Sequence, residues 1–249
     1  DALLRDVVLL EAVGINPIIV HGGGKAISEA MGNAGVESKF ISGQRFTDQD
    51  SIQIVEDTLG TKVNSNLVRL VKSHGGKAAG ISGTKVFSSD RMLGINENGE
   101  EVDLGFVGSV KECSVEELQE LIIKETIPVV SPLSKESSSG HTLNTNADLA
   151  ASALAGTMHV AKLVYISDVL GVMRDPDDDG SLIHSICCSE VEPLADEGVI
   201  SGGMLPKLRS AVDAISSGVG KVHLIDGRIP HSLLLEIFTN TGVGTEIVP

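Results

Sequence analysis

A chain of 249 residues, 41% hydrophobic and 21% charged, has an ordinary globular composition and enough length to bury a sizeable core. Its formal charge of −15 and aromatic content of only 2% exclude the basic stripes and stacking platforms of nucleic-acid binders. No apolar run approaches the roughly 20 residues of a membrane helix. Cys113, Cys187 and Cys188 cannot make a disulfide framework, which points to a reducing compartment. Cytoplasm is expected, or a plastid if a transit peptide was removed.

With no Trp, the core must come from Val, Ile, Leu and Ala, which favours packed β/α layers. Leu3–Val13 reads as an amphipathic helix ending at Gly14, and "INPIIV" as a buried strand. A helix carrying Ile27, Ala30, Met31 and Ala34 follows. A longer one is expected from Thr47, with Thr47 and Asp50 as a capping box and apolar residues from Ile52 to Val71 every three or four positions. "KAAGIS" is a short strand, and the segments around Asn98-Gly99 form a hairpin. Ser114 and Glu117 should cap the helix "SVEELQELI", ahead of the strand "TIPVVS". The polar "SKESSSGH" has linker composition and suggests a boundary between lobes 1–134 and 135–249. A helix from Ala147, the strand "KLVYIS", an acidic loop, two helices and the strand "VHLI" complete the pattern. Such alternation with continuous apolar strands predicts one mainly parallel sheet covered on both faces, a three-layer αβα sandwich.

The stretch "IIVHGGGKAISEAM" places Gly22, Gly23 and Gly24 where a strand hands over to a helix. There the backbone N–H groups point outward and the helix start carries partial positive charge, so bare backbone suits a phosphoryl group. A tight turn alone would need one glycine. The loop is neither a Walker A sequence, since Ala26 follows Lys25, nor a dinucleotide fingerprint, since Ile27 stands at the last glycine position. Asp175–Gly180 opens like a calcium loop, but its twelfth position is Ile186 where a Glu is required. The histidines lack zinc spacing and there is no G-x-S-x-G elbow.

"LNTNADLAASALA" sets Asn144, Asn146 and Asp148 before an apolar helix, more polar groups than one cap needs. In "SGGMLPKLRSAVDA", Lys207 lies early in a helix, unfavourable against the dipole unless it faces an anion.

Taken in order, "VHGGGKAI", "SGQRFT", "LGFVGSV", "LNTNADLAASALA", "VYISDVLGV", "SGGMLPKL" and "IDGRIPHSLLLEIFTNTGVGT" resemble the amino-acid kinase family from Leu3 to Ile247. They most resemble its branch acting on the side-chain carboxylate of N-acetyl-L-glutamate in arginine biosynthesis. The resemblance implies an N-terminal acyl-amino-acid-binding and dimerisation lobe and a C-terminal lobe for ATP with Mg2+, the metal held mainly by the nucleotide phosphates. It places Gly22, Gly23, Arg45 and Asn144 at the substrate, with Arg45 on the α-carboxylate. Asp148 would organise the catalytic lysines, and Lys207 would neutralise phosphoryl charge. ATP would lie along Asp168, Val169, Leu170, Gly171, Val172 and Met173, and along Val199, Ile200 and Ser201. The C-terminal stretch resembles the arginine-inhibited members, with Glu236 on the effector guanidinium and the Gly242 and Gly244 backbone beside it. A homodimer at least, or a hexamer, is implied. No resident protein metal site and no histidine role are expected. The family's leading Lys-x-Gly-Gly strand does not occur within the sequence, which starts in the first helix. The alternatives are a sister kinase for another acylated amino-dicarboxylate, or a non-catalytic arginine or nucleotide sensor.

Overall fold

The computed structural model describes all residues except Asp1, Ser42, Glu97, Pro176 and Asn240. The chain divides into two compact units, Gly14–Ala153, and Asp1–Val13 with Leu154–Pro249. The expected division at 134/135 instead falls inside a strand. "SKESSSGH" is the end of that strand and the solvent-facing turn of a hairpin, closed by Gly140 N–H donating to the Glu136 carbonyl at 2.8 Å. Its polarity reflects that exposed turn.

Helix α1 (Ala2–Ala12) buries Leu4, Val7 and Leu10, at the three- and four-residue spacing of one helix face. Strand β1 (Ile19–Val20) leads through the glycine turn into α2 (Gly24–Asn33), which buries Ile27 and Met31. The short pair β2 (Phe40–Ile41) and β3 (Gln44–Arg45) precedes α3 (Gln49–Glu56). A π-helical turn, Asp57–Val63, then continues into α4 (Asn64–Ser73). Strand β4 (Ala78–Ile81) is followed by the long hairpin of β5 (Phe87–Ile95) and β6 (Glu101–Cys113) around Asn98-Gly99, as its turn chemistry predicts. Helix α5 (Glu116–Ile123), β7 (Ile127–Val130), β8 (Leu133–Glu136), β9 (Thr142–Thr145) and α6 (Ala147–Met158) follow. The remaining elements are β10 (Lys162–Ser167), β11 (Ser185–Cys187), α7 (Val191–Asp196), α8 (Met204–Ser216), β12 (Lys221–Asp226), α9 (Ser232–Phe238) and β13 (Thr245–Val248).

The mixed α/β class with parallel sheets is as expected. In the first unit, β1-β7-β4 is all parallel, β5-β6-β9-β8 closes into a small barrel, and β2-β3 is a ribbon. In the second unit the order is β10-β12-β13-β11, with β12 and β13 antiparallel. Pro17, two residues ahead of β1, has no N–H to donate, so the ladder cannot be extended upstream through it.

Two caps differ from expectation. Thr47 is drawn into the sheet, its N–H donating to Leu104 and its carbonyl accepting from Phe106, so Asp48 caps α3 through the Ser51 N–H. Ser114 N–H likewise donates to the Val86 carbonyl, and α5 begins at Glu116 without a side-chain cap. Tertiary pairing claimed both residues first.

Candidate active site

The first unit gathers its polar groups around the turn between β1 and α2. No side chain caps α2, because its N-cap is Gly23, so its opening N–H groups are left without intrahelical partners. A Cβ added at Gly22 or Gly24 would meet nothing within 4 Å, whereas one at Gly23 would overlap Leu59. The turn is therefore open on the outside and packed underneath.

Arg45 reaches this turn from β3. Its guanidinium donates to the Gly24 carbonyl at 3.0 Å and to the Ser28 and Ser38 hydroxyls at 2.8 and 2.6 Å. It also approaches the Met31 sulfur at 3.4 Å and lies 4.7 Å over the Phe40 ring. Only 7% of Arg45 is exposed, and burial draws its pKa below the ordinary value. The Thr47 hydroxyl donates to the Arg45 carbonyl and accepts from the Asn144 amide, each at about 3 Å (3.1 and 3.2 Å). Gly22, Gly23, Arg45 and Asn144 are thus brought into one bonded neighbourhood. At the start of α6, Asn146 is the cap, accepting from the Asp148 and Leu149 N–H groups, while the Asp148 side chain lies in the first turn.

One histidine belongs here although no role was expected of any. His21 is buried, and burial pulls its pKa down, leaving a neutral ring. Asn64 donates to His21 Nε2 at 3.2 Å and to the Val129 carbonyl at 2.8 Å, which leaves the imidazole proton on Nδ1. That N–H donates to the Gly22 carbonyl at 2.8 Å. A histidine directly before a glycine turn was the visible signal; Asn64, distant in sequence, had none.

In the second unit, the loop Asp168–Met173 leaves the end of β10. It is fixed by Val172 N–H donating to Thr245 Oγ1 at 2.9 Å, with Gly171 at φ 154 packed tightly against Thr245. Asp168 and Val169 are exposed and Val172 is buried. Val199 and Ile200 both donate to the Leu194 carbonyl, and Ser201 is exposed at the lead-in to α8. Lys207, in the first turns of α8, has its ammonium 5.0 Å from the centre of the Tyr165 ring. Tyr165 in turn shares a 2.9 Å hydrogen bond with Ser210.

Glu236 is 6% exposed and fully engaged. One oxygen meets His223 Nδ1 at 2.7 Å, and the other accepts from the Val243 and Gly244 N–H groups at 2.7 and 3.0 Å. Burial pushes its carboxyl up, but these hydrogen bonds outweigh it and hold the pKa below the ordinary value. A Cβ at Gly242 would press on this carboxylate, and one at Gly244 on the Leu224 carbonyl.

The model of the amino acid kinase family matches residues 1–226. The chain belongs to that family. An acetylglutamate kinase from Akkermansia muciniphila is 51% identical over 99% of the chain and 83% of the relative. One from Methanothrix thermoacetophila is 43% identical over 99% and 86%. Among solved structures, N-acetylglutamate synthase from Neisseria gonorrhoeae, complexed with coenzyme A and N-acetyl-glutamate, superposes with a TM-score of 0.84 at 26% identity. It covers all of the chain and 55% of the synthase. The expected phosphotransferase with a carboxyl acceptor is borne out for this amino acid kinase. No helix among its described residues is long and apolar enough to cross a membrane.

Proposed function

We propose that this amino acid kinase transfers the γ-phosphoryl group of ATP to the side-chain carboxylate of N-acetyl-L-glutamate, yielding N-acetyl-L-glutamyl 5-phosphate in arginine biosynthesis. The observation that carries the reading is the open glycine turn with Arg45 bonded to its Gly24 carbonyl. Phosphoryl transfer asks for positioning and positive charge, and an ionised carboxylate acceptor needs no general base. The space above Gly22 and Gly24, which a Cβ would fill, fits a phosphoryl group resting on backbone N–H donors.

In this reading Gly22 and Gly23 hold the reacting phosphoryl oxygens, and Asn144 orients the acceptor. Arg45 takes the substrate α-carboxylate as a fork, in place of its Ser28 and Ser38 hydroxyl partners. Lys207 neutralises charge on the phosphoryl oxygens, and Asp148 sets the orientation of the lysine side chains. Asp168–Met173 and Val199–Ser201 bind the nucleotide. ATP with Mg2+ supplies the transferable group and screens its charge. The metal is held mainly by the nucleotide phosphates in this reading.

Arginine is the proposed feedback effector. Glu236, held ionised beside Gly242 and Gly244, has the charge a guanidinium needs, and the effector would take over the place of its backbone N–H partners. The working form would be a homodimer at least, in the cytoplasm.

The test is acyl phosphate formation with ATP and Mg2+, trapped by hydroxylamine. N-acetyl-L-glutamate should be the best acceptor among N-acetylated and free amino-dicarboxylates. A better acceptor elsewhere in the series replaces the substrate; none at all removes the enzyme reading.

A further inference from the structure

The long helix that follows Arg45 is interrupted by the π turn Asp57–Val63, and two side chains five residues apart, Leu59 within it and Asn64 just after it, both act on the glycine turn. Leu59 lies where a Cβ on Gly23 would sit, and Val63 Cγ2 is 3.8 Å from that same point. Asn64 holds His21, whose ring holds the Gly22 carbonyl. In an uninterrupted α-helix at 3.6 residues per turn, positions 59 and 64 would point about 140° apart. Here the Asn64 N–H bonds to the Leu59 carbonyl, the five-residue bond of a π turn, as well as to that of Thr61, and the wider turn brings positions 59 and 64 towards the same side.

We propose that the π turn Asp57–Val63 is a positioning device for the glycine turn, with Leu59 as its floor and Asn64, through His21, as the clamp on its carbonyl. The inference rests on the phosphoryl-binding reading of that turn for its consequence, but not for its geometry. Both contacts act on backbone. His21 fixes the direction of the Gly22 carbonyl and hence of the Gly23 N–H in the same peptide plane. Leu59 is 1% exposed and packed with Ile27, Met31, Ile52, Val55 and Leu133, so it cannot yield cheaply to pressure from above. The same Asn64 amide nitrogen also donates to the Val129 carbonyl in β7, the middle strand of β1-β7-β4, so the clamp ties the turn to that sheet. Without the extra π residue, one of the two props would face away.

Leu59, Asn64 and His21 are therefore positioning residues, and their loss should act on the transferring group more than on substrate affinity. Gly23→Ala should lower kcat by about 10- to 100-fold, the scale of a misplacement near 1 Å. KM for N-acetyl-L-glutamate should change far less. Adding Leu59→Ala, which opens room below, should restore much of the lost kcat; Leu59→Val is the smaller cut if the alanine double variant does not fold. In the intact ligand-free protein, Asn64→Ala should speed amide hydrogen exchange several-fold at His21 and Ile27, whose N–H groups donate to the Val130 and Gly23 carbonyls on either side of the turn, and leave β12 unchanged. The proposal is overturned if the double variants are no faster than Gly23→Ala, or if Asn64→Ala leaves exchange at the turn unaltered. If the wild-type protein forms no acyl phosphate, the functional reading fails by itself, and the exchange comparison still decides the positioning role.

Discussion

The guanidinium of Arg45 donates to the carbonyl oxygen of Gly24 at 3.0 Å, joining the side chain most suited to a carboxylate with the backbone most suited to a phosphoryl group. The bond crosses from β3 to the start of α2, and Ser28 on α2 accepts from the same terminal nitrogen at 2.8 Å. In the proposed reading, a carboxylate bound at Arg45 would act directly on the frame of the glycine turn. Arg45→Lys keeps the charge but loses the fork. It should lower kcat/KM for N-acetyl-L-glutamate by about 10- to 100-fold, or roughly 1.4–2.7 kcal/mol of transition-state stabilisation. Steady-state kinetics with unchanged KM for ATP would locate the loss at the acceptor.

Gly22→Ala separates folding from chemistry. The added methyl meets nothing within 4 Å, so thermal stability should change by less than about 1 kcal/mol. The same methyl would occupy the space assigned to the phosphoryl group, and activity should fall at least about tenfold. Retained activity would move the phosphoryl site away from this turn.

The barrel carries a pH-dependent lock. Hydrogen bonds from Arg91 first, then Ser139, hold the Glu136 carboxyl down at about 2 from an ordinary 4.5. Arg91 Nε donates to Glu136 at 2.8 Å and the same guanidinium lies 4.3 Å over the Phe106 ring. Because the folded pKa lies below the unfolded one, this contribution is full above pH 4.5 and is lost as pH falls through about 2. Glu136→Gln should cost about 1–3 kcal/mol in urea unfolding at pH 7 and progressively less towards pH 3. An equal penalty at both pH values would show the charge to be irrelevant.

Glu236→Gln should raise the arginine concentration for half-inhibition at least about tenfold, the cost of replacing an ionic pair by a neutral one. It should also reduce stability by about 1–3 kcal/mol, because His223 and the Val243 and Gly244 N–H groups lose a charged acceptor. Isothermal titration with arginine and thermal melts check the two effects independently. Wild-type activity indifferent to arginine would remove the effector reading.

Legibility differed from one feature to the next for physical reasons. Helices with a clear apolar period, such as α1 and α2, and the Asn-Gly hairpin were readable because local pattern and burial agree. Thr47 and Ser114 misled because their backbones bond to residues distant in sequence, a demand no capping signal reveals. "SKESSSGH" misled because an exposed hairpin turn and a linker share one composition. Gly22, Gly23, Arg45 and Asn144 stand out in the sequence as residue types, whereas the positions proposed for Asn64 and Leu59 depend on a shift of helix phase that apolar spacing does not disclose.

Trapping with hydroxylamine remains the most direct measurement. The full protein with ATP and Mg2+ should give its highest hydroxamate yield from N-acetyl-L-glutamate, ahead of N-acetylaspartate, N-acetylaminoadipate, glutamate and aspartate. No hydroxamate from any of them, with a folded protein that binds ATP, would contradict the account.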